Sequence, residues 1–232
     1  MIAMFRHRTN AASPMPTRRL FRSPLLLAAL MVLLSACAAK ARMDFYARDV
    51  SCQALGRGWQ MPDSTGVMRT TSDLKGKVSY VFFGFTSCPD VCPTTLVELG
   101  KVKHLMGSDA GSLQVVFVTV DPQRDTPAVA RTYVQGFDPT AMALVGSETE
   151  LAAMADTFKA YYQREPDGRT GAYTMSHTAG GYLFDRQGRL RLFAPYGLPV
   201  EQLFSDIQRL LLEPEHRLGI DAVSGCRTPT AV

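Results

Sequence analysis

The sequence predicts an α/β fold, because stretches typical of buried strands alternate with stretches typical of amphipathic helices. Two apolar runs rich in β-branched and aromatic residues, VSYVFFGF (78–85) and LQVVFVTV (113–120), have the composition of strands buried on both faces. Between them, apolar residues recur at helical spacing over 94–106. This alternation predicts a sheet with parallel strands and helices on both faces.

Two further helices are marked by their start signals. Asp125 or Thr126 is expected to cap a helix that has Pro127 at its first position. Ser147 and Glu150 have the spacing of a capping box ahead of LAAMADTFKAYY. The run MALVG between these helices predicts a short strand, so the alternation continues through the middle of the chain.

The last elements predict a β-hairpin followed by a helix. GGYLFDRQGRLRLFA reads as two strands joined by a turn in which Gly188 takes a positive φ, and PVEQLFSDIQRLLL reads as an amphipathic helix. A late hairpin, a C-terminal helix and a cysteine pair directly after the first long strand favour a thioredoxin-like fold. We therefore predict a central mixed sheet flanked by helices.

Residues 1–36 have the features of a lipoprotein signal peptide. Five arginines precede the apolar run LLLAALMVLLSAC, and no acidic residue stands before Asp44. The run is shorter than the roughly 20 residues of a membrane-spanning helix. Leu34-Ser35-Ala36-Cys37 resembles a lipobox, the motif whose cysteine is acylated in bacterial lipoproteins; an ordinary signal peptide is the alternative. We expect Cys37 to carry lipid that holds the protein at the periplasmic face of a bacterial membrane.

Charge gives no support to nucleic-acid binding. The chain carries 25 basic and 21 acidic residues, a net charge of +4. Residues 1–36 hold five arginines and no acid, so the remainder carries 20 basic and 21 acidic residues, a net charge of −1. A nucleic-acid-binding domain needs a clustered basic face, which this balance does not provide.

The remaining chain divides into three parts by composition. We expect a lipidated tether over 37–56, a thioredoxin-like domain over 57–213 and a loosely ordered tail over 214–232. The domain has the length of a single folding unit and contains no internal repeat.

Four cysteines are left once Cys37 is assigned to lipid, and four cysteines permit three pairings. Disulfides persist in exported proteins. Cys88 and Cys92 are close in sequence, so Cys52 and Cys226 remain as a possible disulfide that joins the two ends of the domain.

FTSCPDVCP (85–93) places Cys88 after the first strand and Cys92 at the start of the next helix. Free N–H groups and the positive end of a helix dipole stabilise thiolates, so we expect both thiols to be more acidic than a free cysteine. A thioredoxin-type redox motif has two residues between its cysteines, whereas three separate this pair. The longer loop still allows a disulfide, but it also allows both sulfurs to bind one metal ion.

A metal site at this pair would need a third ligand. His104 is expected on a solvated helix face and His216 at an exposed helix end, whereas His177 stands in a loop directly before the hairpin, at the sheet edge where the cysteines lie. A single loop histidine is more often structural, but beside a cysteine pair it is a candidate ligand. Two sulfurs and one imidazole suit Cu(I) or zinc, and the same set with an oxygen suits Cu(II). Because zinc prefers four ligands and no fourth Cys or His is evident, copper is favoured.

Three neighbouring residues carry weaker hypotheses. Asp90, between the cysteines, is either an outer or Cu(II) ligand or a charge that complements the helix dipole. Asp121 is expected to be a turn residue rather than a contact to the site. Met175 is expected to fill the core rather than to bind metal.

FGFTSCPDVCPTTL, VDPQRDTP and SHTAGGYLFDRQGRLR, in this order, resemble the Sco (SenC) family of copper-binding cytochrome oxidase assembly proteins. The resemblance extends from about Lys75 to Leu212. It implies a thioredoxin-like fold and copper, as Cu(I), Cu(II) or both, bound by Cys88, Cys92 and His177. It also implies copper delivery to, or thiol reduction of, the binuclear copper centre of cytochrome c oxidase subunit II.

Two functions follow from the pair. The first is a membrane-tethered periplasmic copper chaperone whose partner is subunit II or another cuproprotein. The second is a thiol–disulfide oxidoreductase, in which Cys88 attacks the partner's disulfide and Cys92 resolves the mixed disulfide without any metal. His177 distinguishes them, since a dithiol reductant does not require it. We expect a monomer that contacts the membrane through its N-terminal lipid and binds no nucleic acid.

Overall fold

A computed structural model of the chain describes residues 44–166, 168 and 172–213. Their main sheet is mixed and has six strands in the order β1-β10-β9-β4-β5-β6, and two smaller sheets pair β2 with β3 and β7 with β8. The strands are β1 (Arg48–Asp49), β2 (Gln60–Pro62), β3 (Met68–Thr70), β4 (Val78–Gly84), β5 (Leu113–Thr119), β6 (Met142–Leu144), β7 (Tyr162–Pro166), β8 (Tyr173–His177), β9 (Gly180–Phe184) and β10 (Leu190–Pro195). The longer helices are α1 (Val91–Met106), α2 (Pro127–Gln135), α3 (Glu148–Phe158) and α4 (Val200–Leu212).

The two long apolar runs form the centre of the sheet, as predicted. Every residue of β4 is buried, and β4 pairs in parallel with β5, which pairs in parallel with β6. On its other side β4 is antiparallel to β9, the first strand of the predicted hairpin. The sheet is therefore mixed, and the predicted thioredoxin-like arrangement is confirmed.

Different helices cover the two faces of the sheet. Tyr80 and Phe82 of β4 pack in one buried cluster with side chains of α1 and α4. Val81 and Phe83 point to the opposite face and pack with α3. Successive side chains of a strand point to opposite faces of the sheet. Because β4 has apolar residues on both faces, helices must cover both.

The helix-start signals act as predicted. The Thr126 hydroxyl accepts a hydrogen bond from the Val129 N–H, so Thr126, and not Asp125, is the cap of α2. Ser147 and Glu150 form both hydrogen bonds of a capping box at α3. Each cap satisfies backbone N–H groups that have no partner inside the helix.

The structure contains a two-stranded ribbon, β7–β8, that the sequence pattern did not indicate. Helix α3 ends at Phe158, and the next residue, Lys159, takes a left-handed conformation with φ of 52°. The chain then forms β7, which pairs with β8 so that Tyr162 lies opposite His177. His177 therefore ends a strand of this ribbon rather than lying in a loop.

The tether prediction is wrong for the described part of 37–56. Ala47 and Val50 are each 4% exposed, and β1 joins the edge of the main sheet against β10. Asp206 of α4 is fully buried, and its carboxylate accepts hydrogen bonds from the backbone N–H groups of Tyr46 and Ala47. Residues 45–50 thus belong to the folded domain, which extends N-terminally past the predicted boundary at residue 57.

No helix among the described residues is both long enough and apolar enough to span a membrane. The predicted lipidation site Cys37, His216 and the predicted tail 214–232 lie outside the described residues.

Replacing Asp206 with alanine should lower the free energy of unfolding by about 1–3 kcal/mol, because it leaves buried N–H donors of the N-terminal segment without an acceptor. Chemical denaturation of the soluble domain measures this change. Asp156→Ala is the matched control: that side chain on α3 is 78% exposed, so its loss should change stability by less than about 0.5 kcal/mol. Equal stability of the two variants would contradict the anchoring role of Asp206.

Candidate metal centre

Three elements bring Cys88, Cys92 and His177 together at the carboxyl end of β4. Cys88 lies in the loop after this strand, Cys92 is the second residue of α1, and His177 is the last residue of β8. One ligand atom from each lies within 4.8 Å of the other two, and no other His, Cys, Asp or Glu of the described chain joins this group. The Cys92 sulfur is 3.8 Å from His177 Nε2. This arrangement is compact enough for all three atoms to move onto one ion.

The Cys92 sulfur is buried against the end of the central strand. Cys92 is 1% exposed, and a Cβ added to Gly84 would lie 2.5 Å from its sulfur. Glycine at position 84 therefore provides the space that the thiol occupies. Cys88 and His177 are only partly buried, so the group has an inner sulfur and two ligands nearer the solvent.

A buried carboxylate, Asp125, fixes the loop that carries Cys88. It is 1% exposed and accepts hydrogen bonds from the backbone N–H of Thr86 at 3.0 Å and from the Thr119 hydroxyl at 2.6 Å. The Thr86 hydroxyl also donates to it. The sequence pattern indicates Asp125 only as a candidate helix cap. The buried role could not be read from the sequence, because Thr86 is 39 residues away.

His177 is oriented with Nε2 toward the thiols. Its other ring nitrogen, Nδ1, lies 3.0 Å from the carbonyl oxygen of Thr178, and a tautomer with the proton on Nδ1 donates to that oxygen. The ring also contacts the edge of Phe85, with 5.9 Å between centroids. A carbonyl partner at one nitrogen fixes the tautomer that leaves the other nitrogen free to bind metal.

The two thiols differ in acidity. The hydrogen bond from the Cys92 thiol, together with those from His177 and from the backbone N–H groups of Cys92 and Asp90, holds the pKa of Cys88 far below its ordinary value, although burial opposes this. The same hydrogen bond and its own burial raise the pKa of Cys92. The expectation that both thiols are more acidic than a free cysteine is therefore wrong for Cys92. Cys88 is therefore the more acidic thiol of the pair.

The other candidate residues lie outside the group of three. Asp90 is exposed, and its carboxylate accepts a hydrogen bond from the Thr94 hydroxyl rather than meeting the sulfurs. His104 is exposed on α1, as predicted. Met175 packs against the buried cluster under α3, which confirms its predicted place in the core.

Asp121 does more than terminate a turn. It is 1% exposed, and its carboxylate accepts from the side chain of Arg124 and from the Tyr173 hydroxyl, the latter at 2.9 Å. Tyr173 is the first residue of β8, so Asp121 contacts the strand that carries His177. The turn role favoured from the sequence is also present, since the Asp121 carbonyl accepts from the backbone of Arg124 and Asp125.

Among the described cysteines, Cys88 and Cys92 are free thiols. Cys52 is not a free thiol. Cys226 lies outside the described residues, so the pairing of Cys52 with Cys226 stays a prediction.

Comparison with known proteins points to one family. The SCO1/SenC family profile matches residues 48–212. The SCO2-like protein of Rickettsia felis is 35% identical over 136 residues, which are 58% of this chain and 66% of that protein. The chain thus spans just under two thirds of the length of this relative. Protein SCO1 of Saccharomyces cerevisiae mitochondria is 35% identical over 138 residues, 59% of this chain and 47% of that protein.

Solved structures show the same similarity. The copper-bound structure of ScoI from Bradyrhizobium japonicum is 40% identical, with a TM-score of 0.61, and the match covers 68% of this chain and 99% of that one. The copper-bound structure of yeast Sco1 is 30% identical, with a TM-score of 0.64, over 71% of this chain and 92% of that one.

We predict that Cys88 of the reduced, metal-free protein is alkylated at nearly the same rate at pH 8 and pH 6, because its lowered pKa keeps it a thiolate. The rate of an ordinary thiol with a pKa near 8.5 falls roughly 75-fold over this interval. Iodoacetamide labelling followed by peptide mass spectrometry measures the rate at each cysteine. Cys92, buried and with a raised pKa, should be labelled only after denaturation.

Cys92→Ala removes the thiol that hydrogen-bonds Cys88 and should raise the pKa of Cys88, so that its labelling rate falls more between pH 8 and pH 6 than in the unsubstituted protein. Cys88→Ala is the control and should abolish rapid labelling of the native protein. If Cys88 of the unsubstituted protein slows as an ordinary thiol does, the thiolate assignment is wrong.

Proposed function

Since the chain belongs to the SCO1/SenC family, we propose that it is a copper chaperone for cytochrome c oxidase assembly, with Cys88, Cys92 and His177 as the copper ligands. One observation carries the proposal: these three residues offer two sulfurs and an imidazole nitrogen within 4.8 Å of one another. This donor set suits a soft ion such as Cu(I). The copper-bound relatives from Bradyrhizobium japonicum and yeast support the same choice of metal.

Loading of the site is expected to release a proton. Cys88 already holds the negative charge, whereas Cys92 must lose its proton to become a ligand, because only the thiolate binds metal. His177 needs no deprotonation at Nε2 in the tautomer that donates from Nδ1 to Thr178. Two thiolates and one neutral imidazole would leave the Cu(I) site with a net charge of −1.

Delivery is proposed to proceed by ligand exchange at the more exposed side of the group. Cys92 is buried, whereas Cys88 and His177 are partly exposed and are the first ligands that a partner can replace. A partner that presents thiolate or imidazole groups could take the ion one ligand at a time, without a change in its oxidation state. We propose the binuclear copper site of subunit II, or of another cuproprotein, as this partner.

The cellular setting is proposed from the N-terminal sequence. Acylation at Cys37 would hold the domain, as a monomer, at the periplasmic face of the membrane. A lipid tether would bring the site close to a membrane-bound oxidase while the domain stays in water.

The difference in acidity between the thiols favours a second candidate function, the reduction of a partner disulfide. The Cys88 thiolate would attack one partner sulfur, form a mixed disulfide and expel a partner thiolate. Cys92 would give its proton to the expelled partner thiolate and, as a thiolate, attack the Cys88 sulfur and release the second partner thiolate. The partner gains two electrons and the protein is left with a Cys88–Cys92 disulfide, which an external dithiol must reduce before the next cycle.

Titration of the reduced protein with Cu(I), against a competing chelator, tests the chaperone proposal. We expect one copper ion per chain, and we expect Cys88→Ala, Cys92→Ala and His177→Ala each to weaken binding by about tenfold or more, since even indirect partners of metal ligands contribute at this level. His104→Ala, an exposed histidine on α1, is the matched control and should bind as the unsubstituted protein does.

The same His177→Ala protein separates the two functions. A disulfide-bonded peptide with two cysteines, incubated with the reduced protein, should still be reduced without His177 if the thiol pair acts as a reductant, because the hydrogen bonds from Cys92 and from the backbone N–H groups still lower the pKa of Cys88. Full copper affinity in His177→Ala, combined with retained peptide reduction, would reject the chaperone and support the reductase.

A further inference from the structure

The strand that carries His177 presents three side chains to the body of the domain. Residues of a strand alternate between its faces, so Tyr173, Met175 and His177 share one face of β8. Met175 packs in the core under α3, and His177 meets Phe85 and the Cys92 sulfur. Tyr173, at the other end of the strand, meets Asp121 and Arg124.

Tyr173 is held at its ring and at its hydroxyl. The guanidinium carbon of Arg124 lies 3.9 Å from the ring centroid, and that of Arg164, in the paired strand, lies 4.2 Å from it. The Tyr173 hydroxyl donates to Asp121 at 2.9 Å, and Arg124 donates to the Tyr173 carbonyl at 2.9 Å. A cation over the face of an aromatic ring is stabilised by the quadrupole of the ring, so this set of contacts fixes the side chain.

Arg124 and its neighbour Asp125 hold different halves of the metal centre. Arg124 contacts Tyr173 and so the ribbon with His177, whereas Asp125 binds Thr86 in the loop with Cys88. Both belong to the short turn between β5 and α2. The distance between the imidazole and the thiols is thus set through two adjacent residues of one turn.

The ribbon needs such a contact because it is a separate two-stranded sheet. A two-stranded ribbon is only marginally stable without packing against another element. Near His177 its two strands are closed by a pair of hydrogen bonds between Tyr161 and Thr178. At the opposite end, among the described residues, hydrogen bonds from Arg124 and to Asp121 connect Tyr173 to the body of the domain.

We propose that Tyr173, clamped by Arg124, Arg164 and Asp121, is a positioning residue that sets the reach of His177 to the two thiols. The inference rests on the proposed function, since it concerns how well a bound copper ion keeps its imidazole ligand. Loss of the clamp lets β8 tilt away from the body, so that the ion is held mainly by the cysteines. The thiol pair itself is held by α1 and Asp125 and keeps its place.

The test is a double-mutant cycle of Cu(I) affinity. Tyr173→Leu keeps apolar bulk but removes the ring face and the hydroxyl, and should weaken Cu(I) binding 10–100-fold, the range for residues that orient a metal ligand. In a His177→Ala background the same substitution should change affinity by less than about twofold, because Tyr173 then has no ligand left to position. Tyr173→Phe keeps the ring beside the two guanidinium groups and should recover most of the lost affinity.

Tyr161→Leu is the matched control. Tyr161 is a 52% exposed tyrosine next to the same ribbon, and its hydroxyl donates to Gln163 of β7 rather than to the body of the domain. Its substitution should leave Cu(I) affinity unchanged. Hydrogen exchange of the metal-free protein adds a second readout: Tyr173→Leu should speed exchange in the peptide 172–178 but not in β4 or β5.

The outcomes separate this inference from the proposed function. If His177→Ala does not weaken copper binding, the proposed function fails. If His177→Ala weakens it but Tyr173→Leu binds as the unsubstituted protein does, the positioning role alone is wrong. Equal losses on Tyr173→Leu with and without His177 would mean that Tyr173 supports the fold in general, and would also overturn the positioning role. Loss of the cooperative unfolding transition in Tyr173→Leu would overturn it for the same reason.

Discussion

The buried position of the Cys92 sulfur is the constraint on which the rest of the site depends. The sulfur fits against the carboxyl end of β4 because Gly84 has no side chain there. Its backbone N–H donates to the Cys88 sulfur at 3.4 Å, and the interaction between the two thiols lowers the pKa of Cys88 and raises that of Cys92. The outer sulfur is left as a thiolate, which is the form that both metal binding and disulfide exchange require. One local arrangement therefore supports the chaperone and the reductase chemistry alike, and only His177 distinguishes them.

The site is assembled from three elements that are far apart in the sequence, and buried carboxylates join them. Asp125 holds the loop of Cys88, and Asp121 helps to hold the ribbon of His177. Both acids follow β5, the strand next to β4, at the edge of the sheet where the thiols lie. Such buried carboxylates are stable only when their oxygens accept hydrogen bonds, and those bonds are the contacts that position the ligands.

Features with strong local signals were predicted from the sequence, and features that depend on distant partners were not. The apolar runs, the capping box at Ser147 and the hairpin turn at Gly188 predicted the α/β order correctly. The ribbon was missed because its alternation is short and includes polar residues, so His177 was assigned to a loop. The N-terminal segment was taken for a tether because its anchor, Asp206, lies about 160 residues away. The acidity of Cys92 was misjudged because the helix dipole was considered without burial or the hydrogen bond to Cys88.

X-ray absorption spectroscopy of the Cu(I)-loaded protein counts the sulfur and nitrogen neighbours of the ion and so shows whether His177 completes the site. We expect two sulfurs and one nitrogen, and the loss of the nitrogen in His177→Ala with both sulfurs retained. A coordination sphere that contains no nitrogen, or one that is unchanged when His177 is replaced, would contradict this expectation.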